Sequence, residues 1–197
     1  MGDKEISANG GGLAYDGSGI GNSPTFNVNQ TGKYKSLLNP LLEKIIDIYD
    51  EKPKDSDVDE LPSPLEKIEF NDVKVFGEDI KECIDFLSVV EEQIDAIDDE
   101  GPGSKNKFLK AINLNYKNHK KELLITNNID PVKKNDVIRV IRLNADDLIQ
   151  KVIKTIIGFA EADLHQYPVE DVQGATSLIV CYGFINCKIL EKPDDYK

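Results

Sequence analysis

The chain has 197 residues, 40% hydrophobic and 30% charged, with a formal net charge of −12. That is enough length for one domain with a sizeable core, and the composition is that of a globular chain. Its basic side chains are 22 Lys and only 2 Arg, Arg139 and Arg142, a balance that argues against direct nucleic-acid binding, which phosphate contacts dominate.

Residues 1–33 are rich in Gly, Asn and Ser, the pattern of a flexible leader with little to bury. Within it Thr25 to Gln30 alternates polar and apolar, so Phe26 and Val28 mark a candidate short strand able to add to a partner's sheet edge. The GSGIG run at Gly17 to Gly21 lacks the preceding strand, the lysine and the Ser/Thr of a phosphate loop. The start, MGDKEISANGGG, has neither the apolar core of a signal peptide nor the pattern of a myristoylation site, so the expected location is cytoplasmic.

The remaining residues, 34–197, read as one all-α domain. Asn39 and Pro40 open a first helix running to Asp50, followed by a charged linker over 51–62. Ser63-Pro64-Leu65-Glu66 is a capping box. The next pattern is the longest in the chain. Val73, Phe76, Ile80, Cys83, Leu87, Val90, Ile94 and Ile97 recur at alternating spacings of three and four, which predicts one helix of about seven turns with a continuous apolar seam. Gly101-Pro102-Gly103 ends it, Ser104 is placed to cap its successor, and the short connection predicts a long antiparallel helical hairpin. Its arms differ in charge. Glu43 to Glu100 holds 21 acidic and 6 basic residues, and Lys105 to Lys154 holds 5 acidic and 12 basic.

Asp130 and Pro131 read as the start of a further helix. Asn144 then caps an amphipathic one, with Leu148, Ile149, Val152, Ile153, Ile156 and Ile157 on its apolar face. Pro168 opens the last helix, predicted to run to Lys192. From Leu178 to Leu190 it is apolar or small on every side except at Asn186 and Lys188. A helix with no polar stripe is normally wrapped by others, and 13 residues are too few to cross a membrane. Asn186 is read as a polar group inside the core, either an amide satisfied by backbone or a neighbouring side chain or a residue that fixes helix register as buried Asn does in coiled coils.

No chemistry-bearing constellation emerges. Cys83, Cys181 and Cys187 have no CxxC spacing and read as buried free thiols. His119 lies in a Lys-rich stretch and His165 in a turn, neither with a complete ligand set, so no metal, cofactor or catalytic residue is expected and the chain is read as a non-enzyme.

Three stretches together resemble a known family. KIEFNDVKVFGEDIKECIDFLSVVEEQIDAIDDEGPGSKNKFLKAINLNY is similar to the helical hairpin of a C-terminal module of bacterial three-component systems built around an ABC/SMC-like ATPase, the Lamassu-like antiphage group. NADDLIQKVIKTI resembles its next helix and SLIVCYGFINCKILEKP its closing helix. The resemblance spans Leu65 to Pro193 and implies no catalytic residue. It implies an adaptor or regulatory subunit of an antiviral defence complex that docks or restrains an effector on the ATPase, with ATPase and nuclease subunits as partners. Self-association is compatible with it. The surfaces expected to serve are Val73, Phe76, Ile80, Leu87, Val90 and Ile94 on the hairpin, with Phe26 and Val28 in the leader. The alternative is a ligand- or signal-sensing domain, whose pocket would be lined by Cys181, Tyr182 and Asn186.

Overall fold

The computed structural model describes residues 41–42, 61–160, 167–186 and 188–196. The leader, with Phe26 and Val28, and the linker up to residue 60 lie outside them, as does His165. Of the predicted first helix only Leu41 and Leu42 are described, and both are helical and buried.

Seven α-helices follow, with no strand among the described residues. They are α1 (Pro64–Phe70), α2 (Phe76–Cys83), α3 (Leu87–Glu100), α4 (Ser104–Thr126), α5 (Lys134–Leu143), α6 (Ala145–Ala160) and α7 (Val169–Ile185). The architecture is an all-α bundle. α3 and α4 form the expected antiparallel hairpin, α6 packs on α4, and α7 runs through the middle against α2, α3, α4 and α6.

The capping box forms as read, since Ser63 Oγ accepts from the Glu66 amide at 3.1 Å. The predicted seven-turn helix is divided instead. Cys83 to Leu87 tightens into a 3-10 turn over Ile84–Phe86, and α3 restarts after Phe86 at φ −106°. The extra winding turns Phe86 into the core and leaves Ile84 outside. α2 has no capping side chain of its own. Asp146, in the first turn of α6, accepts from the amides of Lys74, Val75 and Phe76 at 3.0–3.1 Å. A carboxylate 70 residues away thus satisfies the orphan donors at the start of α2.

The hairpin turn is likewise capped by its neighbour. Asp98 Oδ1 accepts from the amides of Gly103 (3.0 Å) and Lys105 (2.9 Å), while Ser104, expected as the cap, turns its hydroxyl back to the Gly101 carbonyl. Gly103 sits at φ 95°, a conformation open to glycine. Lys105 completes the join with ion pairs to Asp95 (2.9 Å) and Glu91 (3.4 Å). Partial burial works against its charge, but those carboxylates outweigh it and push its pKa up.

Asp130 does not open α5. It closes a local turn onto the Val132 amide, and the helix starts only at Lys134. Asn144 ends α5 and joins it to α6. Its side chain donates to the Val140 carbonyl, and its own carbonyl accepts from Leu148.

α7 is buried from Val172 to Phe184 except for a half-buried Gln173 and Ser177. Gly183 explains how closely α4 can approach, since a Cβ there would lie 2.7 Å from Ile112 Cγ2. The helix stops at Ile185, seven residues short of the predicted end. Asn186 leaves helical geometry, the Lys188 amide reaches back to the Gly183 carbonyl at 2.8 Å, and Leu190 takes φ 60°. That left-handed turn costs a leucine about 1–2 kcal/mol, and it carries Ile189, Leu190 and Glu191 inward, where all three are buried.

Candidate functional site

The hairpin seam is not a docking surface. Val73, Ile80, Val90 and Ile94 are buried, and Phe76 and Leu87 are half-buried against the same core. Heptad spacing specifies that a stripe must be covered without saying by what, and α4 and α7 of the same chain cover this one.

Asn186 is also reassigned. It is half-buried at the C-terminal end of α7, and its Nδ2 donates to the Tyr182 carbonyl at 2.9 Å. It therefore terminates the helix, a common use of Asn at such ends, rather than fixing register from inside the core.

Three of the polar groups inside the fold, Lys67, Asn71 and Glu191, come together at the segment after α7. Lys67, from α1, is 1% exposed. Its Nζ donates to the carbonyls of Phe184 (2.5 Å) and Ile189 (2.6 Å) and lies 4.2 Å from the centroid of the Phe184 ring. A cation placed on the orphan carbonyls of a helix C-terminus meets the negative end of the helix dipole. Beside it the fully buried Asn71 grips the Glu191 backbone at both polar atoms. Its Nδ2 donates to the Glu191 carbonyl at 2.9 Å and its Oδ1 accepts from the Glu191 amide at 3.1 Å.

Glu191 itself is 9% exposed. Its Oε1 accepts from Tyr116 Oη (2.5 Å) and Lys120 Nζ (2.7 Å), and its Oε2 from Tyr196 Oη (2.7 Å). Burial alone would raise its pKa, but the donors from Lys120, Tyr116 and Tyr196 outweigh it and hold the carboxyl below its ordinary range. The same contacts, with burial as the largest cause, push both tyrosines up. Glu191 is thus a fixed carboxylate with every close donor committed to it. A general acid or base needs a pKa near the working pH, and this arrangement moves the carboxyl away from it.

The thiols of Cys83 and Cys181 are buried and neighbouring. A hydrogen bond between them and burial push Cys181 up, which makes it a poor nucleophile. His119 is not the exposed group its lysine-rich stretch implied. Its Nε2 lies 2.9 Å from Thr155 Oγ1 on α6, and Glu122 is 3.7 Å from its other nitrogen. Among the described residues no group of three or more His, Cys, Asp or Glu could hold a metal ion, and no described helix is long and apolar enough to cross a membrane.

Of the three residues expected to line a pocket, Cys181 borders a space of about 10 Å³ that Tyr182 and Asn186 do not line, far below what a ligand requires. An open cleft of about 490 Å³ lies elsewhere, where Lys120, Leu124, Lys134 and Val137 face Glu191 and Tyr196.

The Glu191 cluster was missed because a lysine on a short amphipathic helix normally points to water. One signal was available in the sequence. An acidic residue directly after the apolar pair Ile189-Leu190 has little route to solvent if that pair is buried.

No family model matches the sequence, and no curated protein or solved structure matches it either.

Proposed function

We propose that the chain is a non-enzymatic helical adaptor that docks or restrains an effector on an ABC/SMC-like ATPase in a bacterial antiviral defence complex. The family resemblance over Leu65 to Pro193 supplies the biological setting, and one structural observation supports a docking role. At the corner where α5 and α6 meet the α1–α2 connection, Leu143 is 75% exposed and Val75 is 56% exposed. The backbone there is held firmly. Asp146 anchors the amides on either side of Val75, and Arg142 donates to the Phe70 carbonyl at 2.6 Å while lying over the Phe70 ring. Large apolar side chains on a rigid corner lose little entropy when covered, which suits the centre of a protein interface.

Co-expression with any ATPase and nuclease encoded by neighbouring genes, followed by affinity capture, tests the proposal. The complex is expected to form, and Leu143→Asp with Val75→Asp is expected to release it while leaving the helical circular dichroism unchanged. Recovery of the chain without either subunit refutes the proposal.

The cleft of about 490 Å³ favours the second reading, a ligand-sensing domain, with the ligand held between α4, α5 and the Tyr196 segment. Native mass spectrometry of the purified chain separates the two readings by showing or excluding a retained small molecule.

A further inference from the structure

Two outward stripes remain after the core is accounted for, and they match each other in length and oppose each other in charge. Along α2, the 3-10 turn and α3 the exposed positions Glu82, Asp85, Glu92, Ala96 and Asp99 recur at spacings of three, four and seven, with the half-buried Val89 between them packed on the core. From Phe76 to Glu100 there are ten acidic residues and one lysine. On α4 the outer positions Lys110, Leu114, Lys117, Lys121 and Ile125 recur in the same way, with Leu114 45% and Ile125 79% exposed. At 1.5 Å per residue each stripe is about 25 Å long.

The hairpin pairs charges across its two helices near the turn. Its cross-helix ion pairs involve Lys105 at the turn end, where Glu91 and Asp95 meet it. Further along, Lys117 and Lys121 on α4 and Glu82, Asp85 and Asp99 on the acidic stripe make no ion pair among the described residues. We infer that the chain binds a second copy of itself by laying the acidic α2–α3 stripe of one molecule along the basic, apolar-tipped α4 stripe of the other. Every copy presents both halves. The exposed apolar residues Leu114 and Ile125 give the contact a part that is not electrostatic, and the charges set its register and partner choice. Exposed ion pairs are individually weak, so the expected Kd is modest, of the order of 100 μM. Neither stripe includes Val75 or Leu143, so the contact can fail without touching the proposed docking role.

Sedimentation velocity of the full chain over roughly 10 μM to 1 mM tests it at about 0.1 M and about 1 M salt, between which the Debye length falls from about 10 to about 3 Å. Association is expected at low salt and is expected to weaken about tenfold or more at high salt. Two charge-reversed proteins give the decisive comparison, Asp85→Lys with Asp99→Lys and Lys117→Glu with Lys121→Glu. All four sites are exposed, and unchanged circular dichroism checks that each variant folds. Each alone is expected to lose self-association, and an equimolar mixture of the two is expected to recover it, because the reversed faces complement one another. A monomer at the highest concentration in low salt overturns the inference. So does an assembly that ignores both salt and reversal, or a mixture that fails to restore what the single variants lose.

Discussion

Replacing Glu191 by Gln probes the bond network on which the C-terminal segment depends. The substitution keeps the shape and removes the charge from a side chain that accepts from Lys120, Tyr116 and Tyr196. One of the two oxygens becomes an amide NH2, which Tyr196 can accept only by turning its own hydroxyl proton away. A hydrogen bond to a charged group contributes about 1.5–3 kcal/mol, and breaking a buried pair costs about 3–5 kcal/mol. Lys120 is 24% exposed along its side chain and can turn partly to water, which places the expected loss near the lower end, about 2–4 kcal/mol. For a chain of this size that is a fall in Tm of roughly 4–16 °C. Urea denaturation followed by circular dichroism at neutral pH measures the loss directly. The pH dependence gives a second check. The folded-state pKa of Glu191 is depressed, so its contribution is present above the ordinary carboxyl range, near 4.3, and is lost as pH falls through the folded value. The gap between parent and Glu191→Gln should therefore be widest near neutrality and close in acid. A gap below about 0.5 kcal/mol at neutral pH, or one that widens as pH falls, refutes the account of Glu191 as a fixed ion.

Three further outcomes are expected. Gly183→Ala would place a Cβ 2.7 Å from Ile112 and 3.3 Å from Ile189, so it should destabilise by about 1–3 kcal/mol. Gly158→Ala on α6 meets nothing within 4 Å and should stabilise by up to about 1 kcal/mol, and thermal melts of the pair compare the two directly. Asp146→Ala removes the acceptor for three amides at the start of α2. It should cost about 1–2 kcal/mol, with faster amide hydrogen exchange at Lys74 to Phe76 as its local signature. Cys83 and Cys181 should resist a thiol reagent in the folded protein and react once it is unfolded, and peptide mapping after alkylation reports each one separately.

The helices were legible wherever burial imposed a period. The α3–α4 hairpin, the apolar face of α6 and the wrapped α7 all follow from positions that must avoid water, and water is the one partner every sequence shares. Three kinds of feature were not legible. The 3-10 turn after Cys83 preserves the same apolar seam as a continuous helix, so the spacing of Ile80, Cys83 and Leu87 could not separate the two. The heptad seam was read as a surface for another protein because its pattern is the same whether the cover comes from another chain or from α7. The polar cluster joins residues such as Lys67 and Ile189, 122 positions apart, and no local pattern encodes who meets whom at that distance. The same limit hid Asp146 as the cap of α2.

The Lys67 and Asn71 contacts also have a consequence in time. Both residues lie on the first turns of the described domain, yet their partners lie about 120 residues later. During synthesis at about 5–20 residues per second, α1 must wait roughly 6–24 s before Ile189 and Glu191 exist to receive it. For that interval the nascent chain holds an ammonium group committed to a site not yet made, and the apolar stripe of the hairpin lacks the helix that will cover it. The closing segment therefore sets when the bundle can become a single cooperative unit. A nascent chain stalled before Ile189 should be cut by protease at α1 long after the hairpin has become resistant.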